Sequence, residues 1–345
     1  SYVVYPIKHA EEGAELGYYG GKDTGVIWLN NGDKYAFFDV ASGFCSEYSF
    51  DSAQDLWFDG TCSHLLRVTY DGEHYGYVDR TNGRLEIPCL FQQINTVGFH
   101  NGYAVEILSE TDDVVILHEN GDTFLLPCSI SPVEGEVFEC NLLLVYDETS
   151  KLYGYCNPSG ICVISPQFDN ATSFSDGYAS VCCSGKWGHI DEYGRLVSAY
   201  IFDSQYYFQN ERALAVFGGK NVIIDLAGQI IARLADGYQY LGLLSQGIVV
   251  YTDGSHYGLI DVAGNILLPL SDGLYMDVYQ SDVPLFTSGI QPVMSLEGKW
   301  GYIDTNGTVI IPCVYECASP VYDGIVYVKT DEGFKLLNPF GTKLW

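Results

Sequence analysis

Acid pairs are the first chemistry to weigh. Two carboxyls about 5–10 Å apart can cleave a glycosidic bond, one as acid and the other as base or nucleophile, and this chain carries 44 Asp and Glu. Many are explained by position: Asp191, Asp225, Asp261 and Asp304 each stand three residues before a glycine, where a carboxylate serves a turn. No acid outside that phase has a distinctive apolar setting, so no catalytic residue is assigned. Eleven cysteines are an odd count without a Cys-x-x-Cys spacing. Cys89, Cys128 and Cys313 each follow a proline directly, and Cys182-Cys183 lie in an apolar run, which reads as packing by a small hydrophobe. Mostly reduced thiols, at least nine of the eleven, no metal site and no cofactor are expected. His74 and His256 fill the slot that Lys186 and Lys299 fill elsewhere, a place for scaffolding rather than for a ligand. No nucleophile elbow, zinc-protease helix or phosphate loop is present.

The elements behind these residues come from repetition. Lys186-Trp187-Gly188-His189-Ile190-Asp191 returns as Lys299-Trp300-Gly301-Tyr302-Ile303-Asp304, with weaker copies at Tyr75-Gly76, Tyr153-Gly154 and Tyr257-Gly258. Degenerate copies begin at Tyr35, Val114, Asn221 and Phe334, so the anchor recurs every 34 to 43 residues. A fixed period in this range marks one supersecondary unit stacked many times. Each anchor opens an apolar run ending in Asp or Asn. Glycine three residues later, as in Asn157 to Gly160 or Asp261 to Gly264, accepts the positive φ of a type I turn with a bulge. The return strand is apolar and β-branched, as in Val309-Ile310-Ile311-Pro312, and its proline cannot donate to a ladder. An outgoing strand such as Tyr178-Ala179-Ser180-Val181 precedes the next anchor. No stretch of any length has helical periodicity.

The recurring aromatic-Gly, Asp-x-x-Gly, Pro and Phe-x-x-Gly pattern resembles the bacterial WG-repeat (KWG-repeat) family over essentially the whole chain. The resemblance implies an all-β repeat fold and generic binding modules without shared chemistry. Val114-Val115 and Asn221-Val222 lack the aromatic-Gly pair, so those units must pack differently at that corner. Val3-Val4-Tyr5-Pro6 matches a return strand, and Phe334 to Trp345 supplies a first strand, a turn and the start of a return strand. The chain therefore starts and stops in mid-repeat. We expect one domain over residues 1–345, with residues 1–34 and 334–345 forming a composite ninth unit. Such a composite predicts a propeller-like ring closed by its termini; an open β-solenoid is the alternative.

Composition narrows the partners. The net charge is −28, from 16 Lys plus Arg against 44 Asp plus Glu, and this opposes nucleic acid and anionic membrane, which need a positive field. No apolar run approaches the roughly 18 residues of a membrane helix, so no membrane insertion is expected. Reduced cysteines suit the cytoplasm, or an exported protein if a signal peptide was removed before Ser1. Where the repeat departs from plan, aromatics gather: Tyr206, Tyr207 and Phe208, then Tyr238 and Tyr240, then Tyr275, Met276, Tyr279 and Phe286 in the longest unit. Such side chains bury much area at low entropy cost and make a contact surface. The reading is a non-catalytic binding scaffold, with a protein as partner and those aromatics as contacts; a carbohydrate-binding module or propeller-type glycoside hydrolase is the alternative.

Overall fold

The computed structural model describes residues 15–17, 26–39, 41–51, 64–92, 98–134, 136–243, 247–254, 256–270, 286–319, 321 and 324–344. Among them the strands form nine antiparallel sheets of three or four strands. Each sheet has one anchor strand: Tyr35–Asp39, Tyr75–Asp79, Val114–His118, Leu152–Cys156, Lys186–Asp191, Lys220–Asp225, Tyr257–Asp261, Trp300–Asp304 and Gly333–Leu337. The sheets are numbered here in that order. Every anchor strand pairs with the outgoing strand before it, as Tyr178–Cys183 does with Lys186–Asp191. In most sheets it pairs next with a return strand, as Leu196–Phe202 shows.

The hairpin turn is built as its residues require. In sheet six Asp225 Oδ1 accepts the N–H groups of Ala227 at 3.0 Å and Gln229 at 2.8 Å, while Gly228 turns at φ 73°. Asp261, Asp304, Asn157 and Asn338 do the same in their own turns. Most repeat-phased acids are thereby committed to turn geometry.

The glycine of the anchor pair has a different task. Gly76, Gly188 and Gly301 are not in the left-handed region; what they supply is room. A Cβ on Gly301 would meet Ile311 O at 2.5 Å and Cys313 N at 2.7 Å, and one on Gly76 would meet Ile87 O at 2.5 Å and Cys89 N at 2.8 Å. The return strand bulges at that point: Tyr75 faces Phe91 and Tyr77 faces Ile87, so four residue steps oppose two. Val115 stands in the same place in sheet three, where the register 115↔125, 116↔124, 117↔123 runs without a bulge. Val222 likewise pairs with Arg233 in step with Ile223 and Ala232. Bulge and glycine go together, which is the different corner those units need.

The chain divides into two compact units, Ser1–Phe174 with Glu192–Gly194, and Ser175–Asp191 with Arg195–Trp345. Within each, apolar cores lie between successive sheets. In the first unit Trp28, Phe37 and Phe50 meet Leu66, Val68 and Val78, and Tyr77, Ile87 and Phe91 meet Ala104, Val115 and Leu117. In the second, Ile290, Tyr302 and Ile311 meet Val326, Val328 and Leu337. The residue two after the anchor bonds toward the following sheet. Tyr302 OH donates to Ser319 O at 2.8 Å, Tyr155 OH to Thr172 O at 2.7 Å, and Tyr77 OH to Glu106.

One expectation needs correction. Among the described residues no strand pairing closes the series of sheets into a ring. The slot beside Gly333–Leu337 that Val3-Val4-Tyr5 was to fill is taken by the chain's own end: Leu344 N–H donates to Leu336 O at 2.8 Å, and Leu337 bridges Lys343. The reason is local, because the Asn338 to Gly341 turn reverses the chain as tightly as the other turns do. Val3 to Tyr5 lie outside the described residues. Strand pairing fits an open series of repeated sheets, the alternative reading. The two Trp-Gly anchors differ in burial, for Trp187 is buried in an inter-sheet core whereas Trp300 is only half-buried. Cys156 and Cys162 are joined across the Asn157 to Gly160 hairpin, while the other eight described cysteines are free thiols.

Candidate functional site

The aromatics nominated from sequence separate by burial. Tyr206 and Phe208 are 2% and 1% exposed and belong to the core between sheets five and six. Tyr206 packs edge-on to Phe202 at 5.1 Å, and Phe208 to His189 at 4.7 Å. Both are therefore withdrawn as ligand contacts. Tyr207 between them, in the loop before the strand Phe208–Gln209, is 52% exposed. Tyr238 is exposed and lies edge-on to Tyr251 at 5.4 Å; Tyr240 is half-buried, stacks on the same ring at 6.1 Å and donates its OH to Ala235 O. Phe286 is fully buried between sheets seven and eight. Tyr275, Met276 and Tyr279 lie outside the described residues.

A second exposed class was missed. The return strands Leu85–Phe91, Cys162–Phe168, Leu196–Phe202 and Val309–Tyr315 bury their third residue, and all but the last bury the seventh. Around these, Leu85 and Leu90, Leu196 and Ile201, and Val309 and Val314 are 40% to 61% exposed at the same first and sixth positions. The signal lies in the apolar first and sixth residues that these return strands share, as in Leu196-Val197-Ser198-Ala199-Tyr200-Ile201.

Polar clusters that resemble chemistry prove to be joints. His189 Nε2–H donates to Leu226 O at 2.7 Å, so Nδ1 is the acceptor facing Ser198 Oγ at 2.8 Å and Tyr206 OH at 3.0 Å. Burial pulls the imidazole below its ordinary 6.5, with the Leu226 bond opposing. The Ser–His pair is enclosed and its second nitrogen is already used. Between sheets two and three, Arg67 grips Glu106 through Nε at 3.0 Å and a second guanidinium nitrogen at 3.1 Å. The same guanidinium donates to Gln92 O and lies 4.2 Å from the Tyr75 ring centroid. Burial pushes Glu106 up against the pull of Arg67 and Tyr77, but a carboxyl 0% exposed meets no substrate.

One open cleft of about 440 Å³ lies in the first unit, between the tip of the first hairpin of sheet two and that of sheet three. Asp71 and His74 stand on one side and Ser109 and Glu110 on the other, with Cys89, Leu90 and Leu108 among the lining. Asp71 Oδ1 accepts the His74 and Glu73 N–H groups, and His74 Nδ1 lies 2.7 Å from Oδ2. These bonds hold the carboxyl far below the usual range, and the Asp71 bond raises the imidazole. Asp253 and His256 repeat the turn, so the pair is scaffold. Burial and the Asp71 charge push the Cys89 thiol up, the opposite of an activated nucleophile. No group of three or more His, Cys, Asp or Glu is gathered to hold a metal among the described residues. None of their helices is long and apolar enough to cross a membrane.

Residues 75–105, 153–187 and 300–333 match the model of the WG containing repeat, less than a third of the chain. All three stretches begin at an aromatic-Gly anchor. No curated protein sequence aligns significantly with the chain. Among solved structures, the computationally designed Ika8 protein is similar at 14% identity and TM-score 0.41, over 80% of this chain and 94% of that one. BamB from Moraxella catarrhalis is similar at 10% and 0.36, over 94% and 97%. A eukaryotic initiation factor is similar at 11% and 0.47, over 93% and 94%. At these values the likeness is loose and says nothing of activity or partner.

Proposed function

We propose that the whole chain is an array of WG-type repeats acting as a non-catalytic scaffold, and that it holds a protein partner of net positive charge against its exposed repeat surface. The observation that carries this reading is the exposure of large aliphatic side chains at equivalent positions of the return strands of sheets two, five and eight, where the fold gains no core from them. The net charge of −28 supplies the complement to a basic partner. Tyr207 and Tyr238 add amphipathic contacts beside such a surface.

The test is capture from the native host by wild type and by a Tyr207→Ser, Tyr238→Ser double variant, followed by direct titration of the captured protein. Capture of one basic protein, weakened at least about tenfold in the variant with an unchanged melting temperature, is expected. The Tyr238, Tyr240 and Tyr251 cluster is the observation that favours a saccharide instead, since stacked phenol rings can take a sugar face. A glycan that binds wild type and not the variant, with no protein captured, contradicts the scaffold reading in favour of that alternative.

A further inference from the structure

We propose that the cleft bounded by Asp71 and Glu110 seats an arginine side chain of that basic partner, an inference that rests on the protein-binding reading above. Its volume of about 440 Å³ falls within the roughly 300–1,000 Å³ of small-ligand sites, room for one long side chain with the backbone that presents it. Leu90, 49% exposed, and Leu108 offer apolar surface for an aliphatic stem.

The polar groups select the head. His74 Nδ1 lies 2.7 Å from one Asp71 oxygen, and the other accepts two backbone N–H groups, so both oxygens of that carboxylate are already engaged. Glu110, exposed on the opposite side, makes no ion pair or side-chain hydrogen bond among the described residues, so its charge is the uncompensated one. Ser109 also lines the cleft, its hydroxyl shielded from water and without a hydrogen-bond partner among the described residues. Its N–H donates to Leu90 O at 2.8 Å, which fixes the hairpin tip against the return strand. A guanidinium carries several N–H donors in one plane and can serve both oxygens of the Glu110 carboxylate, whereas a neutral head leaves Glu110 unanswered. The Cys89 thiol, held protonated, adds no charge of its own.

The experiment titrates the full chain with N-acetyl-arginine amide, following the backbone amide signals of Ser109, Glu110 and Thr111, with N-acetyl-citrulline amide as neutral isostere and spermidine as a free amine. Saturable shifts with the arginine amide are expected, at least about tenfold weaker with citrulline and in Glu110→Gln. Glu110 is exposed and unbonded, so its variant keeps the fold. Equal binding of the citrulline amide, or no effect of the substitution, overturns the assignment. So does binding of spermidine alone, which would make the cleft a site for free amines. If wild type captures a basic protein but never binds the arginine amide, the cleft assignment fails while the scaffold reading stands. If the amide binds and no basic protein is captured, the partner reading fails and the assigned source of the side chain with it.

Discussion

Gly301 shows why a recurring residue can matter without any chemistry. Its missing Cβ is the space into which the backbone of Ile311 to Cys313 bulges. Gly301→Ala is expected to cost about 1–3 kcal/mol, as for other overpacked sites, read as a lower urea midpoint; an unchanged midpoint would show that the bulge relaxes freely. His189 carries a pH signature. Its folded pKa lies below 6.5, so the unfolded chain binds its proton first. The stability it contributes is complete above about pH 6.5 and is lost as pH falls toward the folded value. Urea midpoints measured across that window should fall for wild type and fall less for His189→Asn, the difference between the two curves reporting this imidazole. At this scale the sequence was half legible. The aromatic run Tyr206-Tyr207-Phe208 stood out, yet which rings turn inward is decided by packing on His189 and Phe202, which no local pattern shows.

The hairpin unit was read with most success. All nine anchors fall within strands, because the Asp-x-x-Gly turn and the apolar runs on either side are local instructions. What joins one sheet to the next was not legible, since it depends on side chains far apart in sequence. Arg67 and Glu106, 39 residues apart, form such a joint. Arg67→Ala strands a buried carboxylate and should cost about 3–5 kcal/mol. Arg67→Met with Glu106→Leu should recover most of that loss, because a buried ion pair and a packed apolar pair of similar volume differ little in net stability. Equilibrium unfolding of the three proteins decides it; a double variant as unstable as the single one would mean the pair specifies the joint in a way apolar packing does not replace.

For the whole molecule, the ring expectation failed on what a repeat match can show. Matching a terminal segment to a return strand shows that it is compatible with that slot, not that it pairs there, and the residues beside Leu336 and Leu337 are Leu344 and Lys343. Charge is the global property that survives unchanged from sequence to function. A net −28 on 345 residues sets a field that acts on an approaching partner before any contact forms. The most direct test of the central claim is the association rate of the captured partner with the full chain as a function of ionic strength. The account predicts that the rate falls on the order of tenfold or more between about 0.05 and 0.3 M salt while the dissociation rate changes little. A rate that does not respond to salt, for a partner without net positive charge, would contradict it.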